Sequence, residues 1–341
     1  MASGAIPGEM AGDMSSLDMG TAGLAGRKTL DITVLRQLSH RSDLRGFLRA
    51  GSHLTVMAAT GTLIALALRS PYPWLVWPAM LLHGFTLVTM FAPMHECVHR
   101  TAFANKWANE IFGWFAGLLS FYNFTYYRHY HTWHHRYTQD PERDPELMDP
   151  KPTSVWGYLW EISAIGFWLR RPLLFLKLAT TGGRAYPFIP DHALTKVALS
   201  ATCQLLVYVA AVASVAMGYP WAAWYFFIPA LLAQPLLRAI LIVEHTGCSY
   251  DENGLTNTRT TLTNPFIRLL MWNMPFHTEH HLYPSIPFHQ LPAAHGEIKA
   301  RLAHLAPSYV AASREVIAAC HPLQTDSAAA AVDSNRETAA S

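Results

Sequence analysis

GSHLTVMAATGTLIALALRSPYPWLVWPAMLLHGFTLVTMFAPMHECVH, residues 51–99, carries both signals from which this chain is read. One apolar run (51–68) and a second (72–93) are parted by a turn around Ser70-Pro71, and the second leads into His95-Glu-Cys-Val-His99. A hydrocarbon core of ~30 Å takes about 20 apolar residues of helix, so each run predicts a membrane span. The pattern recurs at 195–217 and 221–243, separated by Gly218-Tyr219-Pro220. Composition agrees: the 341 residues are 51% hydrophobic, 12% aromatic and only 14% charged. The expected fold is all-α and integral to the membrane, with four transmembrane helices in two hairpins under a cytoplasmic histidine-rich cap.

The cap is expected because three histidine clusters follow helical spacing. His95 and His99 are i/i+4; His131, His134 and His135, like His277, His280 and His281, are i/i+3/i+4. Such spacing turns imidazoles toward one helix face. Neutral imidazole is the commonest metal ligand, and eight are too many for one tetrahedral zinc. Two neighbouring ions would use them all. By softness the site suits iron, copper or zinc, and residue types alone do not choose among them.

Charge sets the expected orientation. Of 25 Lys and Arg residues, only Arg69 lies in or beside a short connection. Nearly all the rest fall in the N-terminal segment, in 95–194 or after 244, so both termini and the long middle stretch are expected in the cytoplasm. All three clusters then reach one membrane face. Two further apolar stretches, Ile111–Tyr127 and Val155–Leu176, are broken by polar residues or studded with tryptophan. Making either an extra span would strand a cluster, so both read as interfacial segments.

Residues 1–26, rich in Gly, Ala, Ser and Met, and 323–341, rich in Ala and Ser, read as disordered tails around a single domain at 27–322. The N-terminal stretch lacks the basic and apolar regions of a signal peptide. Four scattered cysteines argue against a disulfide framework, as a reducing cytoplasm would require. The net charge of +2 gives no reason to expect nucleic acid as a partner.

The motifs resemble a known family. HECVHRTAF, YRHYHTWHHRYT from Tyr127 and NMPFHTEHHLYP from Asn273 are similar to the histidine boxes of membrane fatty acid desaturases, over roughly residues 45–310. That family also includes hydroxylases, carotenoid oxygenases and relatives with other outcomes. The resemblance implies two iron ions held by His95, His99, His131, His134, His135, His277, His280 and His281, with O2 as co-substrate and an acyl or alkyl chain in the bundle. It also implies a ninth ligand just after the last span, where His245 stands. The expected activity is fatty acyl desaturation. The alternatives are fatty acid hydroxylation, carotenoid hydroxylation (suggested by the ERDPE run after the second box) and decarboxylation of a fatty acid to a terminal alkene. A membrane metal transporter is the rival of another class, but it would place ligands along a path at the bilayer midplane.

Other polar residues have plainer readings. His83, mid-span and about 18 Å from His95 at helical rise, is expected to pack or hydrogen-bond. His129 is expected to support a ligand rather than be one, and His53, His192, His289, His295 and His304 to be structural or solvated. Glu96, Asp140, Glu142, Asp144, Glu146, Glu244 and Glu279 are candidate acceptors for ligand N–H groups; the 140–146 run fits a solvated turn paired with Arg136 and Arg143 equally well. Arg238 is expected to snorkel to the interface. With no haem module or ferredoxin cysteine pattern in the chain, electrons are expected from a separate ferredoxin, rubredoxin or cytochrome b5. Arg128, Arg136, Arg170, Arg171 and Arg184 form the basic surface expected to attract it.

Overall fold

The computed structural model describes residues 29–320; both expected tails lie outside them. Helix α1 (Ile32–Leu38) leads into α2 (Asp43–Leu68), capped by the Ser42 side chain, which accepts from the Arg45 amide. The helix begins well before residue 51 because the charged stretch 43–50 hides a helical repeat from hydropathy, and Ser42 supplies the start signal.

The second span is bent. A short 3-10 turn precedes α3 (Val76–Val88), and α4 (Phe91–Val98) continues it through residue 98, so His95 lies inside the helical run rather than beyond it. Two features interrupt the ladder. Thr89 turns its hydroxyl onto the Phe85 carbonyl at 2.6 Å, and Pro93 has no amide to donate.

Then come α5 (Lys106–Ser120), α6 (Phe124–Tyr137), α7 (Val155–Ile162) and α8 (Ile165–Thr181). Left-handed residues at Phe121 and Ala164 part α5 from α6 and α7 from α8. Helix α9 (Leu194–Ala216) and α10 (Ile228–Leu241), the latter opened by a π-turn at Ala223–Phe227, complete the long apolar elements. Among the described residues, four helical segments are long and apolar enough to cross a membrane: Asp43–Leu68, Pro73–Val98, Asp191–Ala216 and Ala223–Leu241.

The second of these is the central one. It is buried along most of its length, whereas the first and third expose most of theirs. Helices α2 and α10 both pack on α3, and α9 packs mainly against α8. A Cβ on Gly84 would collide with the Pro229 carbonyl, so glycine there lets α3 and α10 touch backbone to backbone. The large exposed hydrophobic side chains on the spans include Leu66, Leu206, Val209 and Leu231. Exposed Tyr72, Trp74, Tyr219 and Trp221 ring the two short connections, where aromatic residues favour a membrane interface.

After α10 the chain is largely irregular. A two-residue parallel pair, β1 (Thr260–Thr261) with β2 (Leu305–Ala306), ties it to the C-terminal region. Four short helices follow the last span: α11 (Pro265–Leu270), α12 (His277–Leu282), α13 (Leu291–Ile298) and α14 (Tyr309–Ala319). Trp272 and Asn273, both left-handed, turn the chain from α11 into α12. Trp272 holds this unfavourable backbone because it is buried against Phe288, with its indole N–H on His53 Nδ1 at 3.4 Å.

Candidate metal centre

Four parts of the chain bring imidazoles to one place: α4, α6, α12 and the turn after α10. Helix α4 is tied to the segment after α12, where the Phe288 amide donates to Glu96 Oε1 at 2.9 Å. Helix α6 begins at Asn123, whose side chain caps the Tyr126 amide and donates to Gln204 Oε1 at 2.6 Å. The turn after α10 is held by buried Arg259, whose guanidinium donates to the carbonyls of Val243 and Thr246. Its Nε also donates to Glu315 Oε2 at 3.2 Å, and nothing in its sequence surroundings marks Arg259, because these acceptors are two backbone oxygens and a residue far along the chain.

His95, His99, His131, His135 and His280 form one group whose ring nitrogens lie within 4.8 Å of one another. His134, His245 and His281 form a second on the same criterion. His277 stands at the edge of the second, its Nε2 3.1 Å from His245 Nε2. The groups adjoin, with the His131 and His134 rings 5.5 Å apart and those of His135 and His281 4.1 Å apart.

Spacing within the groups fits shared ions. His135 Nε2 is 2.9 Å from His131 Nε2 and 3.0 Å from His280 Nε2, and His134 Nε2 is 3.3 Å from His245 Nε2. Two imidazoles bound at right angles, each with a metal–nitrogen bond of about 2.1 Å, would set their nitrogens roughly 3.0 Å apart. The Nε2 atoms of His95, His99 and His281 are buried without a hydrogen-bond partner, a costly state unless something else takes the lone pair. Burial drives the protonation of His99 down to about 3. Burial also holds His131, His135, His245, His277, His280 and His281 far below the ordinary imidazole range, and neighbouring imidazoles add to it. Neutral rings are what ligation requires.

Several rings are aimed through their other nitrogen. His134 Nδ1 donates to Asp144 Oδ1 at 2.9 Å, and the Gln139 and Glu146 amides hold the same carboxylate. His245 Nδ1 bonds the Asn257 carbonyl at 3.1 Å, His281 Nδ1 lies 3.3 Å from Thr138 Oγ1, and His131 Nδ1 lies 3.4 Å from the Tyr127 hydroxyl. Such partners fix tautomer and orientation. His134 differs from the rest. Burial pulls its protonation down, but Asp144 and Glu146 outweigh that and raise it.

The 140–146 run therefore does both things expected of it. Asp144 is buried on His134, while Asp140 pairs with Arg143 outside. Glu279 does not serve the ligands: its oxygens go to His295 Nδ1 and Thr260 Oγ1, each at 2.5 Å. Glu244 Oε2 lies 3.5 Å from His277 Nε2, and burial keeps this carboxyl protonated far above the usual range. His83 bonds Thr60 Oγ1 at 2.9 Å and the Tyr225 carbonyl at 3.1 Å, well away from either group. His129 belongs to neither group.

Three arginines depart from expectation. Arg238 does not snorkel outward; it pairs with Glu161 at 2.8 Å inside a cavity. Arg128 and Arg171 are not surface charges. Arg128 pairs with Glu110 at 2.8 Å, and Arg171 turns into the same cavity as Arg238. Both are drawn inward by aromatic faces, Arg128 by Phe124 and Arg171 by Tyr122 and Phe167.

That cavity, of about 510 Å³, touches His95, His131 and His277 at one end. Its walls include Phe91, Tyr122, Tyr126 and Phe167. A second hollow of about 390 Å³ reaches His135 and His281 from another side.

The family model for fatty acid desaturases matches residues 72–313, which include all nine of these histidines. The chain belongs to the fatty acid desaturase family. A protein of Picosynechococcus sp. named sn-1 oleoyl-lipid 12-desaturase is 26% identical over 268 residues, 72% of this chain and 75% of that one. The Synechocystis sp. protein of the same name is 26% identical over 256 residues, 67% and 69% of the two chains. A Bradyrhizobium elkanii dihydrorhizobitoxine desaturase is 27% identical over 234 residues, 63% and 65%. Family and fold together make this desaturase-like chain a membrane oxidoreductase with histidine groups able to hold metal.

Proposed function

We propose that this chain is an O2-dependent diiron oxidoreductase that desaturates a long fatty acyl chain. The observation that carries the reading is the aromatic-walled cavity that opens directly onto His95, His131 and His277. The names of its cyanobacterial relatives favour desaturation over hydroxylation or decarboxylation.

In this reading His95, His99, His131, His135 and His280 hold one iron, and His134, His245, His277 and His281 the other. Two irons, when bound, supply the O2 activation needed to break an unactivated C–H bond, with two electrons from a separate donor of ferredoxin, rubredoxin or cytochrome b5 type. The protein's own contribution is positional. Asp144, Asn257 and Thr138 aim three of the rings. Phe91 and Tyr122, with ring centroids 4.7 Å apart, offer an apolar wall against which a methylene chain can lie and exclude water. Glu244 keeps a proton beside His277.

The four spans form two connected hairpins, with both termini and the metal site on the cytoplasmic face. A tag near Ser70 or Gly218 should then label from outside, and one near residue 150 should not; external labelling at 150 would separate the second box from the others.

The functional test uses purified protein with a reducing donor and lipid substrates. It should contain close to two irons per chain, consume O2 only with lipid, and yield a product two mass units lighter than the substrate. A zinc-loaded protein without lipid-dependent O2 uptake would overturn the reading. A product heavier by one oxygen would move it to hydroxylation.

A further inference from the structure

The cavity beside the metal centre contains an imbalance of charge. Arg238 is neutralised by Glu161 at 2.8 Å, Lys151 by Glu146 at 3.6 Å and Arg170 by Asp149 at 3.4 Å. Two lining cations, Arg171 and Lys177, have no carboxylate within ion-pair distance among the described residues, and Lys177 lies over the Tyr186 ring at 4.3 Å. The Arg171 guanidinium carbon lies 4.1 Å from the Phe167 ring centroid and 4.4 Å from that of Tyr122. A half-buried charge against two rings is costly without an anion, and burial lowers its hold on the proton. Another cation, Arg238, acts on it in the same unfavourable sense.

Position sharpens the question. The Tyr122 ring on which Arg171 rests is 4.7 Å from Phe91, and Phe91 is 6.0 Å from the His95 ring. Two aromatic rings thus lead from the unpaired cation to the first histidine group. Arg170, its neighbour in sequence, is more exposed and is already paired with the exposed Asp149. Of the cavity's two unmatched cations, Arg171 is therefore the one whose ring contacts lead to the histidines.

We propose that Arg171 receives the carboxylate of a free fatty acid whose chain runs along Tyr122 and Phe91 toward the metal centre. The planar fork of arginine matches a carboxylate with two parallel hydrogen bonds. A cavity of about 510 Å³ suits one small amphipathic guest. A free carboxylate, unlike a bulky carrier or phospholipid head group, can share a cavity of this size with its own chain. The proposal rests on the lipid-oxidising reading above and specifies its substrate as a free acid.

The test is binding, read without turnover. Purified protein in detergent is titrated with a fluorescent fatty acid, which is then displaced by a C18 acid, its methyl ester, an alkyl phosphate or an acyl-CoA. The acid should displace the probe at about tenfold lower concentration than the ester, as expected for a charge-assisted pair. Arg171→Gln should remove most of that preference while leaving ester binding near wild type, and Arg171→Lys should restore part of it. Equal competition by acid and ester, unchanged preference in Arg171→Gln, or stronger displacement by the phosphate or acyl-CoA would each overturn the assignment. Turnover assays separate the two readings. Oxidation of an esterified lipid at full rate by Arg171→Gln would leave the oxidase standing and remove the anchor. Arg171-dependent acid binding without oxidation of any lipid would do the reverse.

Discussion

The two histidine groups are built by different means. The group of His95, His99, His131, His135 and His280 draws on three helices and is held mostly by ring packing; His95 alone lies 4.3 Å from His131 and 4.6 Å from His280 between centroids. The group of His134, His245 and His281, with His277 at its edge, is held by polar partners: Asp144, the Asn257 carbonyl, Thr138 and the protonated Glu244. Rings are in close contact in both groups, with His134 and His245 4.9 Å apart between centroids in the second. The polar partners of the second give it the only imidazole among the nine whose protonation is raised. Removing ligands and their partners should therefore hurt the two groups differently.

The largest effect is expected at His280. Its Nε2 lies 3.0 Å from that of His135, and its ring packs against His95, so His280→Ala should disturb the whole first group. Iron should fall to about one per chain or less, and O2 uptake should vanish, as seen by metal analysis and an oxygen electrode. Full activity in this variant would sink the two-iron assignment.

His245 comes next. Its Nε2 stands 3.3 Å from His134 and 3.1 Å from His277, so it links the ligands of the second group. His245→Ala should abolish turnover yet release one iron well before the other during titration with a chelator. A histidine that merely favours the end of a helix is worth under about 1 kcal/mol and would leave activity nearly whole.

A smaller loss should follow Asp144→Asn. The shape of the acceptor remains, but its charge no longer supports His134. Iron affinity at the second group should weaken by about 10–100-fold with the first group unaffected, the usual cost of losing a ligand's supporting partner. Equal weakening of both ions would mean the two groups are not separable.

Least affected should be the iron content of His83→Ala. This change removes two hydrogen bonds in the apolar bundle and should destabilise it by about 1–3 kcal/mol, visible as a lower thermal midpoint. Loss of iron in this variant would extend the metal site into the span, against the geometry.

Much of this was legible in the chain because it is local. Length and apolarity locate the four candidate spans, although charged residues at 43–50 hid the start of the first and the polar residues after Pro93 hid the end of the second. The plain reading of His83 follows from its distance along the helix. Arg171 and Arg238 were misread for a common reason: an arginine beside an apolar run looks solvated until the aromatic faces and Glu161 that draw it inward are known. Glu279 was misread because its partners, His295 and Thr260, are not its neighbours in sequence.

What the sequence determined by itself is the helical content, the apolar spans, the family and the supply of imidazoles at helical spacing. Only the tertiary structure decided how those imidazoles divide. Consecutive residues on a helix point about 100° apart, so His134 and His135, or His280 and His281, face different neighbours. Which of them meets His95, and which meets His245, depends on how α4, α6 and α12 cross and on the turn that Arg259 holds in place after the last span. That crossing is set by contacts between residues far apart in the chain, such as Glu96 with Phe288 and Gln139 with the His245 carbonyl. Helical spacing carries no information about them.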